Sequence, residues 1–192
     1  MPEVSIAKCP DTPVIINAGE FPIERPLNPD SQSLTWSSYK NRNIVNFLLG
    51  VTPNGVPCFI SPCFGGCISD KELTKQSGLL DTSRFCPGDA IMADRGFTIS
   101  DLLAGTGIKL NHPPFLQDKG QLMEEEVIVT RRIASLRIHV ERAIERIKNF
   151  RILSFLQATR VNTASRLVRT CAFLTTLLEP LVPSVGEADI CE

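Results

Sequence analysis

Residues 124–150 carry a long helical pattern, and that pattern limits what the rest of the chain can be. Leu136, Val140, Ala143 and Ile147 recur at three- and four-residue spacing. On a helix turning about 100° per residue they fall on one apolar stripe. Arg137, Glu141 and Lys148 lie beside that stripe, within roughly 40° of one another. A helix with a single apolar stripe has to bury it against another layer, and upstream runs supply one. "PVIINAGEFPIERP" opens on a short β-branched run that predicts a buried strand and ends in proline-broken extended chain. "NIVNFLLGVTPNGVPCFIS" predicts a hairpin, its two apolar runs separated by "TPNG" with Asn54-Gly55 suited to positive φ.

The middle of the chain alternates. Ser69 or Asp70 can cap a short helix that Gly78 stops. "GDAIMADRGF" predicts a strand running directly into Asp94, "TISDLLAG" a helix, and "GIKLNHPPF" a strand closed by Pro113-Pro114. After the long helix, residues from about Thr163 to Leu178 predict another, ended by Pro180 and Pro183. Three strands, helix, strand, helix, strand and then helices is the order of an α/β mixed sheet flanked by helices. With 192 residues and 43% hydrophobic content, one domain over 13–182 is expected, with tails at 1–12 and 183–192.

The formal net charge of −1 does not favour nucleic acid, but it hides a local excess. Residues 131–151 hold seven basic side chains against Glu141 and Glu145. Arg131, Arg142, Arg146 and His139 make a face suited to phosphates, although a solvated helix face would look the same. Seven scattered cysteines, and an N-terminus without the basic-then-apolar pattern of a signal peptide, point to a reducing, intracellular setting. No apolar run is long enough for a membrane span. Cys58, Cys63 and Cys67 invite a zinc reading, but their spacing matches no standard paired site, and incidental thiols explain them as well. His112 and His139 carry no pattern of their own.

Polar residues collect where strands end. Asn17 closes the first strand, Asp94 the fourth, and Glu141 projects from the helix expected to pack on the sheet. Carboxylates brought from two strand ends and a helix make an oxygen site for Mg²⁺ or Mn²⁺, which can activate water and stabilise the leaving oxygen in phosphodiester cleavage. Spacing alone leaves this open.

The residues themselves carry a resemblance. "SLRIHVERAIERIKNFRIL" resembles the C-terminal signature of DDE transposases of the Harbinger type and related bacterial insertion sequences, in which Tyr, Arg, Glu and Lys follow with two, three and six residues between. Arg137, Glu141 and Lys148 match, and Ala134 stands at the tyrosine. "GDAIMADRGF" resembles the strand of the second catalytic Asp, which puts Asp94 there. "LTWSSYKNRNIVNFLLGVTPNG" and "FGGCISDKELTKQSG" resemble further segments of the animal Harbinger-like endonuclease domain, and the likeness runs from Pro13 to Val182. The resemblance implies an RNase H-like fold, two Asp and one Glu holding Mg²⁺ or Mn²⁺, DNA as substrate and a nuclear location. It implies that Arg137 and Lys148 meet DNA phosphates or balance the carboxylates.

The chain departs from that pattern at its first strand. "INAGE" keeps Glu20, but Asn17 stands where the first catalytic Asp belongs. An amide offers one neutral oxygen and cannot bridge two ions, so cleavage is expected to be impaired. Glu20 is an accessory that partly compensates. Asp70 is a second accessory, explained also as a helix cap. Cys67 replaces an arginine usual in relatives. The DNA-binding module that often precedes this core is expected to be missing, or supplied by a separate DNA-binding partner protein. Two functions therefore compete: a metal-dependent endonuclease and strand-transfer domain with impaired chemistry, and a non-catalytic DNA- or protein-binding module derived from one. A metabolic enzyme lacks support, because the chain has neither a glycine-rich phosphate loop nor a nucleophile elbow.

Overall fold

Strand β3 (Arg42–Val51) organises the sheet, because ten residues with the apolar run Ile44-Val45 and Phe47-Leu48-Leu49 can be buried on both faces. It pairs antiparallel with β1 (Val14–Pro22) from Ile15↔Val51 to Pro22↔Ile44. It also pairs antiparallel with β2 (Trp36–Ser37), β4 (Pro57–Ile60) and β5 (Phe64–Gly65). On its other side β1 pairs parallel with β6 (Ala90–Met92), which pairs parallel with β7 (Lys109–Asn111). The order β2-β3-β1-β6-β7, with two antiparallel pairings followed by two parallel ones, is an α/β mixed sheet of RNase H-like form. This computed structural model describes residues 12–86, 88–94, 96–111 and 124–182, and the side chains of 82, 124–129 and 132 are excepted.

The helices are α1 (Pro29–Thr35), α2 (Asp70–Gln76), α3 (Ser100–Leu103), α4 (Glu124–Lys148) and α5 (Ala164–Thr175). The sheet separates two apolar clusters. One joins Ile15, Phe21, Phe47, Leu49 and Met92 to α4 and α5; the other joins Ile16, Leu48, Ile91 and Ala93 to α2 through Leu73. The expected stripe of α4 is buried, extended by Ile133 and Ile144. Each large side chain so buried contributes about 1.5–3 kcal/mol. An ion pair along the helix contributes a few tenths of a kcal/mol, so the stripe fixes how α4 is turned.

Three local features differ from the sequence reading. Residues 29–35, to which the sequence reading gave no element, are helical: Asn28 accepts at Oδ1 from the Asp30 and Ser31 amides, and Pro29 occupies the first turn, where it loses no hydrogen bond. Ser69 caps α2 by accepting from the Glu72 amide, which leaves Asp70 as the first helical residue rather than the cap. At the "TPNG" turn only Gly55 takes positive φ, 84°; the other left-handed residue of a hairpin is Asn41, φ 52°, between β2 and β3. Gly78 ends α2 at φ 78° with open space around it, so backbone conformation rather than crowding calls for glycine there. Thr12, placed in the tail from sequence, is buried and accepts from Asn111 Nδ2 at 2.8 Å. His112, Pro113-Pro114 and the remainder of both expected tails lie outside the described residues. Among the described residues no helix is long and apolar enough to cross a membrane.

Candidate active site

The site forms where the parallel pairing of β1 with β6 ends; β1 itself continues to Pro22, so Asn17 lies within the strand, opposite Leu49 of β3, rather than closing it as the sequence suggested. Their register pairs Val14 with Ile91 and Ile15 with Met92. Carried two residues further, it sets Asn17 beside Asp94. Because side chains alternate along a strand, both share a face with Ile15 and Met92, the face covered by α4. In sheets with parallel strands, the crevice beyond the strand C-termini is where ligands bind.

Helix α4 reaches this point with Arg137. Its Nη2 lies 2.9 Å from Asp94 Oδ2 and 3.2 Å from Glu141 Oε1, so one guanidinium links the strand carboxylate to the helix carboxylate. The pairing of Arg137 with Glu141 one turn along the helix is present, and the contact with Asp94 makes it more than a local helix pair. Arg137 therefore balances the carboxylates in this structure. Its side chain is 20% exposed, against 42% for Asp94 and 53% for Glu141, so the positive charge lies deeper than the two negative ones. Asn17 Oδ1 accepts from the Ala18 amide at 2.9 Å.

Glu20 and Asp70 gather on the other side. Glu20 follows the alternation of Ile16 and Ala18, toward the α2 face. It forms an ion pair with Lys40 Nζ at 2.7 Å. Asp70, half-buried at the start of α2, has its carboxyl pushed above the usual range by burial first, then by the negative charges of Asp94 and Glu20. Asp70, Asp94 and Glu20 thus act on one another electrostatically. The cap explanation of Asp70 no longer covers it.

The basic side chains divide. Arg131 and Arg142 are exposed on one face of α4, while Lys148 and His139 are half-buried. Arg146 donates from Nη1 to the Glu179 carbonyl at 2.6 Å, which ties α4 to the chain after α5. Lys40 had been passed over in the sequence. Its signal was its place in "WSSYKNR", where two aromatic and two cationic residues fall within seven positions.

A family model described as DDE superfamily endonuclease matches residues 16–176. The chain belongs to that family. Comparison with curated proteins and with solved structures finds no match. The matched span runs from the strand bearing Asn17 to the end of α5, and so includes Asp94, Arg137 and Glu141.

Enzymes of this superfamily typically use divalent metal, which the donor set can be tested against. Among the described residues no group of three or more His, Cys, Asp or Glu side chains is arranged to hold a metal ion. Asp94 and Glu141 share a guanidinium where a cation would sit, and Asn17 adds an uncharged oxygen already used by a backbone amide. Hard cations favour charged oxygen. As arranged, these residues do not fit a divalent ion.

Proposed function

We propose that this chain is a transposase-derived DDE domain of the Harbinger-like animal type that engages DNA in the nucleus, with Mg²⁺- or Mn²⁺-dependent cleavage and strand transfer impaired at Asn17. The observation that supports it most is the strand register, which sets Asn17 level with Asp94 on the face of α4. In this reading Asp94, Glu141 and Asn17 are the residues of the former metal centre. Glu20 and Asp70 are accessory carboxylates. Arg131, Arg142 and Lys148 take DNA phosphates, with His139 and the remaining donors of Arg146 at the margin, and a separate partner protein supplies sequence recognition. Phosphate contacts of this kind release counterions, so duplex binding should fall steeply with salt.

A second reading, a binding module without chemistry, is favoured by the Arg137 bridge, which places a guanidinium between Asp94 and Glu141 where a metal ion would sit. One assay separates the two. Nicking of supercoiled DNA with Mg²⁺ or Mn²⁺ is compared for wild type, Asn17→Asp, and Asn17→Asp combined with Asp94→Asn or Glu141→Gln. Impaired chemistry predicts little cleavage by wild type, a gain with Asn17→Asp, and loss of that gain in both double variants. No gain with Asn17→Asp, in protein of unchanged circular dichroism, supports the binding module. Cleavage by wild type as fast as by Asn17→Asp refutes the impairment.

A further inference from the structure

The chain contains one tryptophan and one tyrosine, and both are exposed within four residues of each other. Trp36 opens β2, which pairs with the start of β3 through Trp36↔Asn43 and Ser37↔Arg42. The connecting turn, 38–41, closes with Asn41 in the left-handed region and presents Tyr39 at 86% exposure. Lys40 Nζ sits 5.0 Å from the Tyr39 ring centroid. Large aromatics exposed in this way forfeit the stabilisation that burial would give, so packing does not account for their position.

The surroundings are built. Behind Trp36 is a groove of about 520 Å³ lined by Arg25, Pro29, Gln32, Ser33, Trp36 and Asn43. That volume falls within the roughly 300–1,000 Å³ of sites that take small ligands. Its walls are fixed by polar contacts: Arg25 Nη2 donates to Gln32 Oε1, Gln32 Nε2 to the Pro26 carbonyl, and the buried Asn43 Nδ2 to the Gln32 carbonyl and Thr35 Oγ1. Arg25 lines it, and Arg42 is the exposed register partner of Ser37 in the adjoining β2–β3 pair. Lys40 joins the turn to Glu20, which acts electrostatically on Asp70 together with Asp94. The aromatic turn is therefore one ion pair away from the acidic cluster at the strand ends.

We propose that the β2–β3 turn and the groove behind it form a stacking platform for unpaired nucleobases of single-stranded DNA, with Arg25 and Arg42 meeting its phosphates. Aromatic faces take any base, and flanking cations follow the backbone, which is how sequence-tolerant single-strand sites work. The proposal rests on the reading that the chain acts on DNA. It adds that a strand is held unpaired beside the acidic cluster.

The only tryptophan supplies the readout, since a base stacked on Trp36 quenches its fluorescence. The full chain is titrated at low salt with a short oligothymidylate and with a duplex of equal length. Saturable quenching by the single strand is expected, with tighter binding than to duplex. With both labelled DNAs also followed by anisotropy, which needs no tryptophan, Tyr39→Ala and Trp36→Leu should each weaken single-strand binding about tenfold, in line with the loss of one stacked base, while duplex binding stays within about twofold. Should Trp36→Leu fold poorly, the highly exposed Tyr39 carries the test with Trp36 still reporting. Single-strand binding without quenching and indifferent to both substitutions overturns the platform and leaves the DNA reading intact. Equal quenching by duplex also overturns it. Absence of binding to either DNA at low salt overturns both proposals.

Discussion

The two faces of the sheet both carry carboxylates beyond the last pairing of β1 with β6, yet they offset that charge differently. On the α4 face a single guanidinium, deeper than either partner, holds Asp94 and Glu141 together. On the α2 face Glu20 has Lys40, while Asp70 sits half-buried with Asp94 and Glu20 both repelling its charge. The first face is electrostatically settled and the second is not. A carboxyl raised by burial and by like charges is a candidate functional group, because desolvation and repulsion both oppose its charge in the folded chain.

If the α4 face is settled because a packed helix delivers Arg137, its anchor should matter most. Leu136 is fully buried next to Arg137 in the chain. Leu136→Ala should lower stability by about 2–5 kcal/mol, the range for large-to-small changes in a core. Urea unfolding measures this directly, and a loss under about 1 kcal/mol would mean that α4 is held mainly by other contacts. A smaller effect, on the same face, is expected at Gly19. A methyl there would meet Phe47 Cζ at 2.3 Å, and Phe47 is fully buried, so its ring has little room to retreat. Gly19→Ala should cost about 1–3 kcal/mol, the usual penalty of overpacking. A neutral result would show that the β1–β3 layer yields beside Asn17.

The ion pairs rank below the packing. Arg137→Gln removes the bridge while keeping much of the side chain. Because both carboxylates are about half exposed, the stability lost should not exceed about 1 kcal/mol. The informative companion is divalent-ion binding by calorimetry. With the guanidinium gone, Asp94 and Glu141 become available to a cation, so weak Mg²⁺ or Mn²⁺ binding should appear or strengthen. Unchanged binding would show that Asn17 rather than Arg137 sets the limit.

These contrasts were unequally legible in the sequence. The stripe of α4, the hairpin, the strand running into Asp94 and the mixed-sheet order all follow from periodicity and turn chemistry, which are local. Spacing left the site itself open, and Asn17, Asp94 and Glu141 were singled out by their resemblance to the family's motifs. What escaped depended on contacts between distant residues. The Arg137 bridge needs Asp94, forty-three positions upstream, and the Glu20–Lys40 pair spans a strand and a helix. The helix at 29–35 was hidden by Pro29, which reads as a breaker unless it sits in the first turn behind a cap such as Asn28. Asp70 reads both as an accessory carboxylate and as a cap because Ser69 and Asp70 are interchangeable on sequence, and only the bond from the Glu72 amide to Ser69 distinguishes the cap.

The smallest expected effect tests the unsettled face. In the folded chain the Asp70 carboxyl is raised above its ordinary value, chiefly by burial and then by Asp94 and Glu20. The folded state therefore keeps that proton to higher pH than the unfolded state does. By linkage, the stability this group contributes is fully present below its unfolded value, about 4, and is lost as pH rises through the folded one. Asp70→Asn removes the charge and keeps the shape. The variant should be the more stable protein at neutral pH, by no more than the roughly 0.5 kcal/mol typical of partly exposed sites. Its advantage should vanish as pH falls below about 4, where the wild-type carboxyl is protonated in both states. Paired thermal unfolding curves across that range would measure the difference and its sign. A wild type more stable than Asp70→Asn at neutral pH would mean that ionised Asp70 gains more from its surroundings than burial and its neighbours cost it. The two faces of the sheet would then be equally settled, and the crowding of Asp70 would no longer point to a function.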